Sequence, residues 1–543
     1  MNTDVEKNNF KNLIQKIYWK GHEIWPFQAS LFILIPVFLL TTAMSLPLIY
    51  LFIRAWGTEN FLNLLLRERT FSVLLNTVKL AASVTLSSIV IAVPIAYLTV
   101  RTDLPGARIW TVLTMLPLVI PSLVGGFAFV AAFGYGGIVH NFLRNGLNIF
   151  YVPEIYGFRG AWLLLTLLSY PYVLLSVRGA LQGMDSALEE AAQTMGKSPW
   201  KIFWKVVLPQ LRPAIMAGGL MVALYTLSDF AAVSLLQFNS FTRAIYVQYQ
   251  SSFNRHYASA LALLLVLLTV IILSFEMWSR TKARYYKVGS GSRCVAKKIK
   301  LGKAKIPALI FLSVVVFFSL VLPTGVILYW LIRGLIHGEA FILRWQAALN
   351  SFYVSGLAAI VGVIVTVPLA ILITRYKSKV TNLLEKMTYV AFALPGIVVA
   401  LALVFFAANY AIGIYQTLPL LIFAYVILFL PQAMGPLRNS LLQLGPNIED
   451  AASTLGSSKF RVLVKITLPL IKPGILSAVA LVFLTAMKEL PATLLLSPIG
   501  FRTLTTEIWN ATSEAFYARA AGPALLLLII SSFSMWILFK QNE

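Results

Sequence analysis

Residues 185–213 read DSALEEAAQTMGKSPWKIFWKVVLPQLRP, and 260 positions later residues 445–473 read GPNIEDAASTLGSSKFRVLVKITLPLIKP. We call these stretches the first and second repeated segments. Superposing them places Gly196 on Gly456 and aligns a Leu-Pro pair and a final proline. Both segments are polar, carry lysines and stand between long apolar runs. The rest of the chain is organised around these two segments.

The composition is that of a membrane protein. Of the 543 residues, 59% are hydrophobic and only 12% are charged, and the mean hydropathy is +0.81. Soluble domains carry about 25% charged residues, and apolar runs of about 20 residues are typical of transmembrane helices. The net charge of +24 does not indicate nucleic-acid binding, because the basic residues concentrate in alternate loops. The sequence therefore predicts an all-α polytopic membrane protein.

The apolar runs predict about twelve transmembrane helices, six in each half of the chain. The first six lie near residues 29–53, 72–100, 109–133, 160–180, 213–237 and 258–279. The second six lie near residues 306–332, 350–374, 387–411, 416–436, 474–497 and 518–539. Several runs exceed the roughly 20 residues that a bilayer needs, which permits tilt or extension beyond the lipid.

The basic residues orient these spans. With the N-terminus in the cytoplasm, the cytoplasmic segments hold most of the 44 Lys and Arg residues, as the positive-inside rule requires. Residues 280–305 carry ten of them and no acidic residue, which predicts a solvated linker near anionic headgroups. The chain then divides into a cytoplasmic tail at 1–28, a first half at 29–279, this linker and a second half at 306–543. Both termini and both repeated segments are placed in the cytoplasm.

The duplication extends into the spans. In each half an asparagine precedes a proline by the same spacing, and an arginine follows seven residues after that proline. The matched residues are Asn76, Pro94 and Arg101 in the first half and Asn350, Pro368 and Arg375 in the second. Because each half has six spans, the halves share one orientation and form parallel repeats about an axis along the membrane normal. We predict a substrate path along that axis.

Each repeated segment predicts two short helices separated by a glycine. In the first copy Ser186 and Glu189 form a capping-box pattern that opens a helix. Gly196 suits the left-handed C-cap of that helix, and Ser198 with Pro199 starts another. The second copy reaches the same plan through Pro446, Asn447, Gly456, Ser457 and Ser458. The second helix of each pair has an apolar and a basic face, which is typical of a helix at the membrane surface.

The order Glu-Ala-Ala, three residues, Gly and later Leu-Pro resembles the EAA loop of permease subunits of bacterial binding-protein-dependent ABC importers. In that family, which has the type I permease fold, the loop forms a coupling helix that docks into a cleft of the ATP-binding subunit. Small alanines let a partner approach closely, and acidic side chains pair with its basic groups. The resemblance assigns this docking to Glu189, Glu190, Ala191, Ala192 and Gly196 in the first copy and to Glu449, Asp450, Ala451, Ala452 and Gly456 in the second.

The triplet Gly196-Lys197-Ser198 looks like the end of a phosphate-binding P-loop, but the sequence excludes that function. The P-loop pattern requires glycine five residues before its last glycine, where this chain has Ala191. The triplet also follows a predicted helix instead of a strand, and the second copy lacks the lysine. We therefore predict a transport subunit that is not an enzyme and holds no cofactor, with ATP and Mg²⁺ bound by a separate partner.

Three ionisable residues fall inside predicted spans: Asp229, Lys488 and Glu489. The 260-residue offset superposes Ser228-Asp229 on Lys488-Glu489. Intramembrane charges are costly and mark either a pathway or a buried pair. One reading makes these three residues candidates for the translocation pathway. The other is a buried salt bridge or hydrogen-bonded network that joins Lys488 to Asp229 or Glu489.

No metal site is expected in this chain. The histidines are scattered over tails and outer loops, and their spacing does not resemble a ligand set. They are His22, His140, His256 and His337. The single cysteine, Cys294, excludes a disulfide framework.

Residues 229–265 and 488–528 resemble ferric iron permeases of the fused two-half type. The resemblance implies ferric iron as substrate, delivered by a periplasmic binding protein and moved across the bacterial inner membrane by ATP hydrolysis in two copies of an ATP-binding subunit. Fused thiamine and aminoethylphosphonate permeases share the layout and stay open as alternatives. An ion-coupled secondary transporter would also have twelve spans in two parallel halves, but it would not need two matched cytoplasmic docking helices.

Overall fold

The computed structural model describes residues 31–56, 67–135, 137–146, 154–184, 187–251, 255–282, 298–338, 345–376, 378–392 and 394–541. Helices account for nearly all of these residues, and no β-strand occurs among them. The predicted all-α fold is confirmed. The predicted tail at 1–28 and most of the predicted linker, residues 283–297, lie outside the described residues.

The helices follow the repeat. The first half contains α1 (Leu31–Trp56), α2 (Glu68–Arg101), α3 (Ala107–Met115), α4 (Ser122–Phe133), α5 (Ile138–Gly146), α6 (Phe158–Gly183), α7 (Ala187–Thr194), α8 (Pro199–Ile202), α9 (Leu208–Ser228), α10 (Ala231–Leu235), α11 (Phe241–Ser251) and α12 (Arg255–Lys282). The second half contains α13 (Lys305–Val316), α14 (Leu322–Ile336), α15 (Trp345–Arg375), α16 (Lys379–Phe392), α17 (Gly396–Tyr410), α18 (Leu418–Gln443), α19 (Pro446–Thr454), α20 (Lys459–Val462), α21 (Leu468–Leu470), α22 (Lys472–Lys488), α23 (Pro491–Leu496), α24 (Leu504–Ser513) and α25 (Tyr517–Gln541).

Helices long and apolar enough to cross a membrane occur at most of the predicted spans. The described residues contain eight such helices, or ten if two bent helix pairs are each counted as one span. The two remaining predicted positions, near 387–411 and 518–539, hold shorter apolar helices, Gly396–Tyr410 and Tyr517–Ser532. Every predicted span therefore coincides with an apolar helix.

Two of these helices are longer than a bilayer requires. Helix α2 has 34 residues and α15 has 31, and 34 residues at about 1.5 Å each span about 51 Å against a hydrocarbon core of about 30 Å. Each of them ends at a matched arginine, Arg101 in α2 and Arg375 in α15. At this length each helix can cross a hydrocarbon core and continue beyond it.

The chain forms two compact units, which do not coincide with the two sequence halves. The first unit takes the described parts of Met1–Leu46, Leu357–Phe392 and Tyr425–Phe483. Its interior contains fully buried apolar side chains from three helices, such as Leu372, Tyr425 and Val482. The predicted boundary between the two halves, at residues 280–305, divides the sequence repeats and does not divide these compact units. It stays a prediction.

The second unit takes the described parts of Pro47–Gly356, Ala393–Ala424 and Leu484–Glu543. In it α2 packs against α6, and both pack against α9. The buried Tyr170 hydroxyl of α6 donates a hydrogen bond to the carbonyl of Thr114 at 2.7 Å, which fixes α6 on α3. This unit contains the first repeated segment, whereas the first unit contains the second.

Four predicted spans are interrupted in the structure. The span near 387–411 is divided between α16, which ends at Phe392, and α17, which begins at Gly396. The span near 109–133 bends by 94° between Val119 and Ser122, where Pro117 and Pro121 each remove a backbone N–H. The spans near 213–237 and 474–497 are corrected as well, because α9 ends at Ser228 and α22 ends at Lys488 before the short helices α10 and α23 begin. Long apolar stretches flank each break, so hydropathy averaged over a span does not reveal it.

The second helix of each repeated segment contains a π-helical turn at the same place. The turns are Phe203–Val207 and Leu463–Thr467. Each ends just before a Leu-Pro pair whose proline has no N–H to donate, and π-turns of this kind are frequent at functional sites. The first copy continues as one helix from Trp200 to Ser228, whereas the second bends by 70° before α22.

Candidate coupling site

The first motif helix, Ala187–Thr194, ends at a left-handed glycine. Gly196 has a φ of 73°, a conformation that L side chains rarely adopt. The Lys197 amide donates to the Ala192 carbonyl at 3.2 Å, which closes the helix as a Schellman-type cap does. Helix α8 begins shortly afterwards, so the predicted helix–Gly–helix plan is confirmed in this copy. Ser186, the start of the predicted capping box, lies outside the described residues.

The second motif helix, Pro446–Thr454, has the same plan. Gly456 has a φ of 83°, and the Ser457 amide donates to the Ala452 carbonyl at 3.1 Å. The Ser458 side chain then accepts a backbone N–H of the following helix at 3.4 Å, which makes it the N-cap. The prediction for this copy is also confirmed.

Arg101, the last residue of α2, holds the first motif helix to the end of that span. Its Nη2 lies 3.0 Å from Glu189 Oε1, a close ion pair whose N–H is not aligned as a hydrogen bond. The same nitrogen donates to the carbonyl of Met184, just before the motif helix, at 3.4 Å. Both charged side chains are buried, at 7% and 6% exposed. The acid therefore pairs within its own chain.

Arg375, the last residue of α15, makes the equivalent contacts in the second copy. Its Nε lies 2.8 Å from Glu449 Oε2, and its Nη2 donates to the carbonyl of Leu444 at 3.0 Å. The Thr467 hydroxyl donates to the other carboxylate oxygen, Glu449 Oε1, at 2.8 Å. This pair is more open, with its side chains 15% and 20% exposed. The arrangement is duplicated together with the sequence.

Burial determines the electrostatics of the first pair. Burial raises the pKa of the Glu189 carboxyl, Arg101 opposes that rise, and the neighbouring Glu190 adds to it. Removing one partner of a buried ion pair leaves an uncompensated charge and costs about 3–5 kcal/mol. The two residues consequently hold each other in place.

The second acid of each motif helix has the opposite orientation. Glu190 and Asp450 are exposed, whereas Ala192 and Ala452 are buried, at 3% and 9% exposed. Of the remaining predicted docking residues, Ala451 is exposed, and the side chain of Ala191 lies outside the described part of the chain. Each motif helix therefore has one exposed acid and keeps one acid and one alanine for its own packing.

The sequence contained a signal for the two arginines, but the docking prediction did not use it. Arg101 and Arg375 both follow a matched proline by seven residues, and this spacing repeats in the two halves. A basic residue that ends an apolar run in both halves is a signal for orientation in the membrane. Because it is repeated, it also indicates an equivalent acidic partner within each half. The structure identifies those partners as Glu189 and Glu449.

The acids of the predicted pathway cap short helices. Asp229 Oδ1 accepts the backbone N–H groups of Ala232 and Val233 at 3.0 and 3.3 Å. Glu489 Oε1 accepts the N–H of Ala492 at 3.2 Å. In both halves the acid satisfies N–H groups that the break in the helix leaves without an intrahelical partner. Its role in a pathway stays a prediction.

Lys488 does not join either acid in the structure. Its Nζ donates to the carbonyl of Val119 at 3.1 Å, at the bend of the span near 109–133. Within the described ranges no ion pair links Lys488 to Asp229 or to Glu489. The alternative of a salt bridge through Lys488 is therefore corrected, since the lysine satisfies a carbonyl that the bent backbone leaves free.

Metal ligands do not cluster in the part of the chain that the structure describes. No group of three or more His, Cys, Asp or Glu side chains there is close enough to hold a metal ion. His256 instead lies 3.3 Å from the carbonyl of Arg54 through its Nδ1. The expectation that the chain holds no cofactor stays a prediction.

The chain matches a known family in both of its halves. The family is described as "Binding-protein-dependent transport system inner membrane component", and it matches residues 88–284 and 358–540. Each match contains one motif helix and the C-terminal part of its arginine-terminated span, with the arginine itself. The twofold match confirms that the chain consists of two repeats.

Three relatives show which members of the family resemble this chain. An Fe(3+)-transport system permease protein of Haemophilus influenzae is 36% identical over 521 residues, which cover 95% of this chain and 98% of that protein. A ferric transport system permease protein of Actinobacillus pleuropneumoniae is 26% identical over 483 residues, covering 84% of this chain and 69% of that protein. A molybdenum transport system permease protein of Escherichia coli is 27% identical over 221 residues, covering 40% of this chain and 95% of that protein.

Proposed function

The chain belongs to the family of inner membrane components of binding-protein-dependent transport systems, and from this premise we propose that it translocates ferric iron. The iron is substrate, delivered from the periplasm by a binding protein. The chain spans the bacterial inner membrane several times with both termini in the cytoplasm. Two copies of an ATP-binding subunit, which hold ATP and Mg²⁺, dock on the two motif helices.

The observation that carries the iron proposal is the match of 36% identity over nearly the full length of both chains. It covers both halves, the linker between them and the two repeated segments. The molybdenum permease matches only 40% of this chain, the length of a single half. Whole-length similarity therefore favours the ferric iron permeases over the molybdenum permeases.

The proposed mechanism is alternating access. Closure of the two ATP-binding subunits on ATP draws the motif helices together, and the two halves then open outward to receive the substrate. Hydrolysis returns them to the inward-open state. The two exposed acids, Glu190 and Asp450, support this mechanism because they offer each ATP-binding subunit a charged contact outside the membrane. The residues that cap the helix breaks, Asp229 and Glu489, remain candidates for lining the path.

The substrate is tested by uptake into vesicles that contain the permease with its ATP-binding subunit. Binding protein loaded with labelled ferric iron, thiamine, aminoethylphosphonate or molybdate is added outside, with ATP inside. We expect ATP-dependent uptake of ferric iron and none of the other three substrates above the level of empty vesicles. Uptake of one of the others without iron would replace the iron proposal. Uptake driven by an ion gradient without ATP would point to a secondary transporter.

A further inference from the structure

We propose that Arg101 and Arg375 are positioning residues that transmit movement of each motif helix to the span ending at that arginine. This inference rests on the proposed docking of ATP-binding subunits at the motif helices. It adds a specific connection between the docked helix and the membrane. The connection consists of one guanidinium and one carboxylate in each half.

The geometry of each arginine fits a connection between three parts of the chain. It belongs to the last turn of a span of more than 30 residues, and its guanidinium contacts the backbone just before the motif helix. It also contacts the carboxylate on the motif helix itself. In the second copy Arg375 reaches its two acceptors through different nitrogens, Nε and Nη2, which a lysine with one charged nitrogen cannot do. In the first copy the single nitrogen Nη2 of Arg101 contacts both acceptors. Each arginine therefore links its span to the motif helix and to the backbone that precedes it.

The two adjacent acids on each motif helix have different proposed roles. The outer acid contacts the ATP-binding subunit, and the inner acid pairs with the arginine at the end of the span. Adjacent residues of a helix point about 100° apart, given 3.6 residues per turn. In the first copy Glu189 faces Arg101 and Glu190 is exposed. In the second copy Glu449 faces Arg375 and Asp450 is exposed. A force applied at the outer acid thus reaches the inner ion pair through a rigid helical turn.

The first connection is tied to the second half of the chain as well. The Ile299 amide donates to the Arg101 carbonyl at 2.9 Å, and the Asp103 amide donates to the Ile299 carbonyl at 3.0 Å. Asp103 Oδ1 accepts the amide of Leu301 at 2.8 Å, and its Oδ2 pairs with Lys305 Nζ at 2.9 Å. Lys305 begins α13, the first helix of the second half. The end of the linker therefore contacts the backbone and side chain of residues 101–103, where α2 ends.

The test breaks the inner ion pair in vesicles that contain the permease and its ATP-binding subunit. Glu189→Gln removes the charge of the inner acid and keeps its size. We expect this variant to retain the ATP-binding subunit and to hydrolyse ATP, while uptake per ATP falls about tenfold, within the range of couplings between contacting residues. Arg375→Lys, which leaves one charged nitrogen for two acceptors, should show the same loss. The exchange Arg101→Glu with Glu189→Arg should recover most of the uptake per ATP.

Two comparisons separate transmission from stability and docking. Arg178→Lys is the matched control, because Arg178 lies near the same end of α6 and donates to the Thr111 hydroxyl at 2.6 Å, outside the motif helix. This control should keep the normal uptake per ATP. Glu449→Gln should repeat the effect of Glu189→Gln in the second half. Unchanged uptake per ATP in Glu189→Gln would overturn the proposal, and so would loss of the ATP-binding subunit from that variant.

Hydrogen exchange tests the connection without any substrate. In the wild-type complex, ATP should change exchange at both the first motif helix and the last turn of α2. In Glu189→Gln the change should stop at the motif helix. The same response in both proteins would overturn the transmission role even if ferric iron is the substrate. Absence of iron uptake by the wild type would refute the substrate proposal and leave this measurement valid.

Discussion

At the scale of the residue, the motif helices give neighbouring carboxylates different tasks. Glu189 is 4% exposed and paired with Arg101, while Glu190 is exposed. The sequence places both acids in the docking motif, because a linear pattern does not reveal which side of a short helix faces the protein. The buried acid needs an internal cation, since a charge removed from water without a partner is costly. The exposed acid has no such requirement.

The glycine between the two helices of each repeated segment is needed for its backbone conformation. At Gly456 an added Cβ would meet nothing within 4 Å, but the φ of 83° is strained for any L side chain. Gly456→Ala should therefore lower the free energy of unfolding by about 1 kcal/mol through the backbone alone. The measurement is thermal unfolding of the purified variant.

Gly179 is the matched control for this substitution. It is exposed within α6, also meets nothing within 4 Å of an added Cβ, and has a helical backbone. Gly179→Ala should leave the unfolding temperature unchanged or raise it, because alanine is favoured over glycine in a helix by roughly 0.5–1 kcal/mol. An equal loss in the two variants would show that conformation is not the reason for Gly456.

The glycines illustrate what sequence can predict at this scale, and the arginines illustrate what it cannot. Gly196 and Gly456 lie between helix-forming residues and N-cap residues, so their left-handed conformation follows from neighbours in the chain. The partners of Arg101 and Arg375 lie far along the chain. Only packing of the long spans brings them to Glu189 and Glu449, and the hydropathy pattern contains no information on that packing.

At the scale of the element, the spans are interrupted at acids that cap the next short helix. Asp229 and Glu489 lie in apolar surroundings, and hydropathy therefore predicts continuous spans across them. The breaks expose backbone N–H groups in a medium without water, where an unsatisfied group costs several kcal/mol. The carboxylates meet that need at Ala232, Val233 and Ala492. An acid inside a predicted span can therefore indicate a break in the helix as well as a substrate pathway.

The end of the linker supplies a second prediction at this scale. Leu301 and Lys305 both contact Asp103, and these contacts lower the pKa of its carboxyl. Asp103→Asn should accelerate hydrogen exchange at Ile299 and Leu301 severalfold at pH 7, because the ion pair is lost. In the wild type the contribution of Asp103 is present above the unfolded pKa of about 3.9 and is lost as the pH falls through the lowered pKa.

Lys303→Gln is the control for the linker experiment. Lys303 is exposed in the same segment, between the two residues that contact Asp103. In Lys303→Gln the hydrogen-exchange rates of the Ile299 and Leu301 amides should equal those of the wild type after correction for intrinsic exchange. Equal rates in Asp103→Asn and the wild type would show that the carboxylate does not hold the linker end.

At the scale of the whole molecule, two copies of one plan are joined in a single chain. Each copy has an arginine-terminated span, a motif helix with an inner and an outer acid, and a π-turn before a Leu-Pro pair. The copies are not identical, since the linker is tied beside the first arginine and the second pair is more exposed. The all-α membrane fold, the family and the duplicated plan could be predicted from the sequence. The bends and internal ion pairs depend on packing.

In the proposed mechanism the exposed acids of both motif helices couple ATP hydrolysis to transport. This coupling is tested most directly by measuring iron uptake and ATP hydrolysis on the same vesicles, with wild-type permease and with Glu190→Lys combined with Asp450→Lys. Because these side chains are exposed, the variant should insert normally and keep its internal ion pairs. We predict that its uptake falls to the level of empty vesicles, with any remaining ATP hydrolysis uncoupled from transport. Normal uptake by this variant would contradict the coupling role of the motif helices.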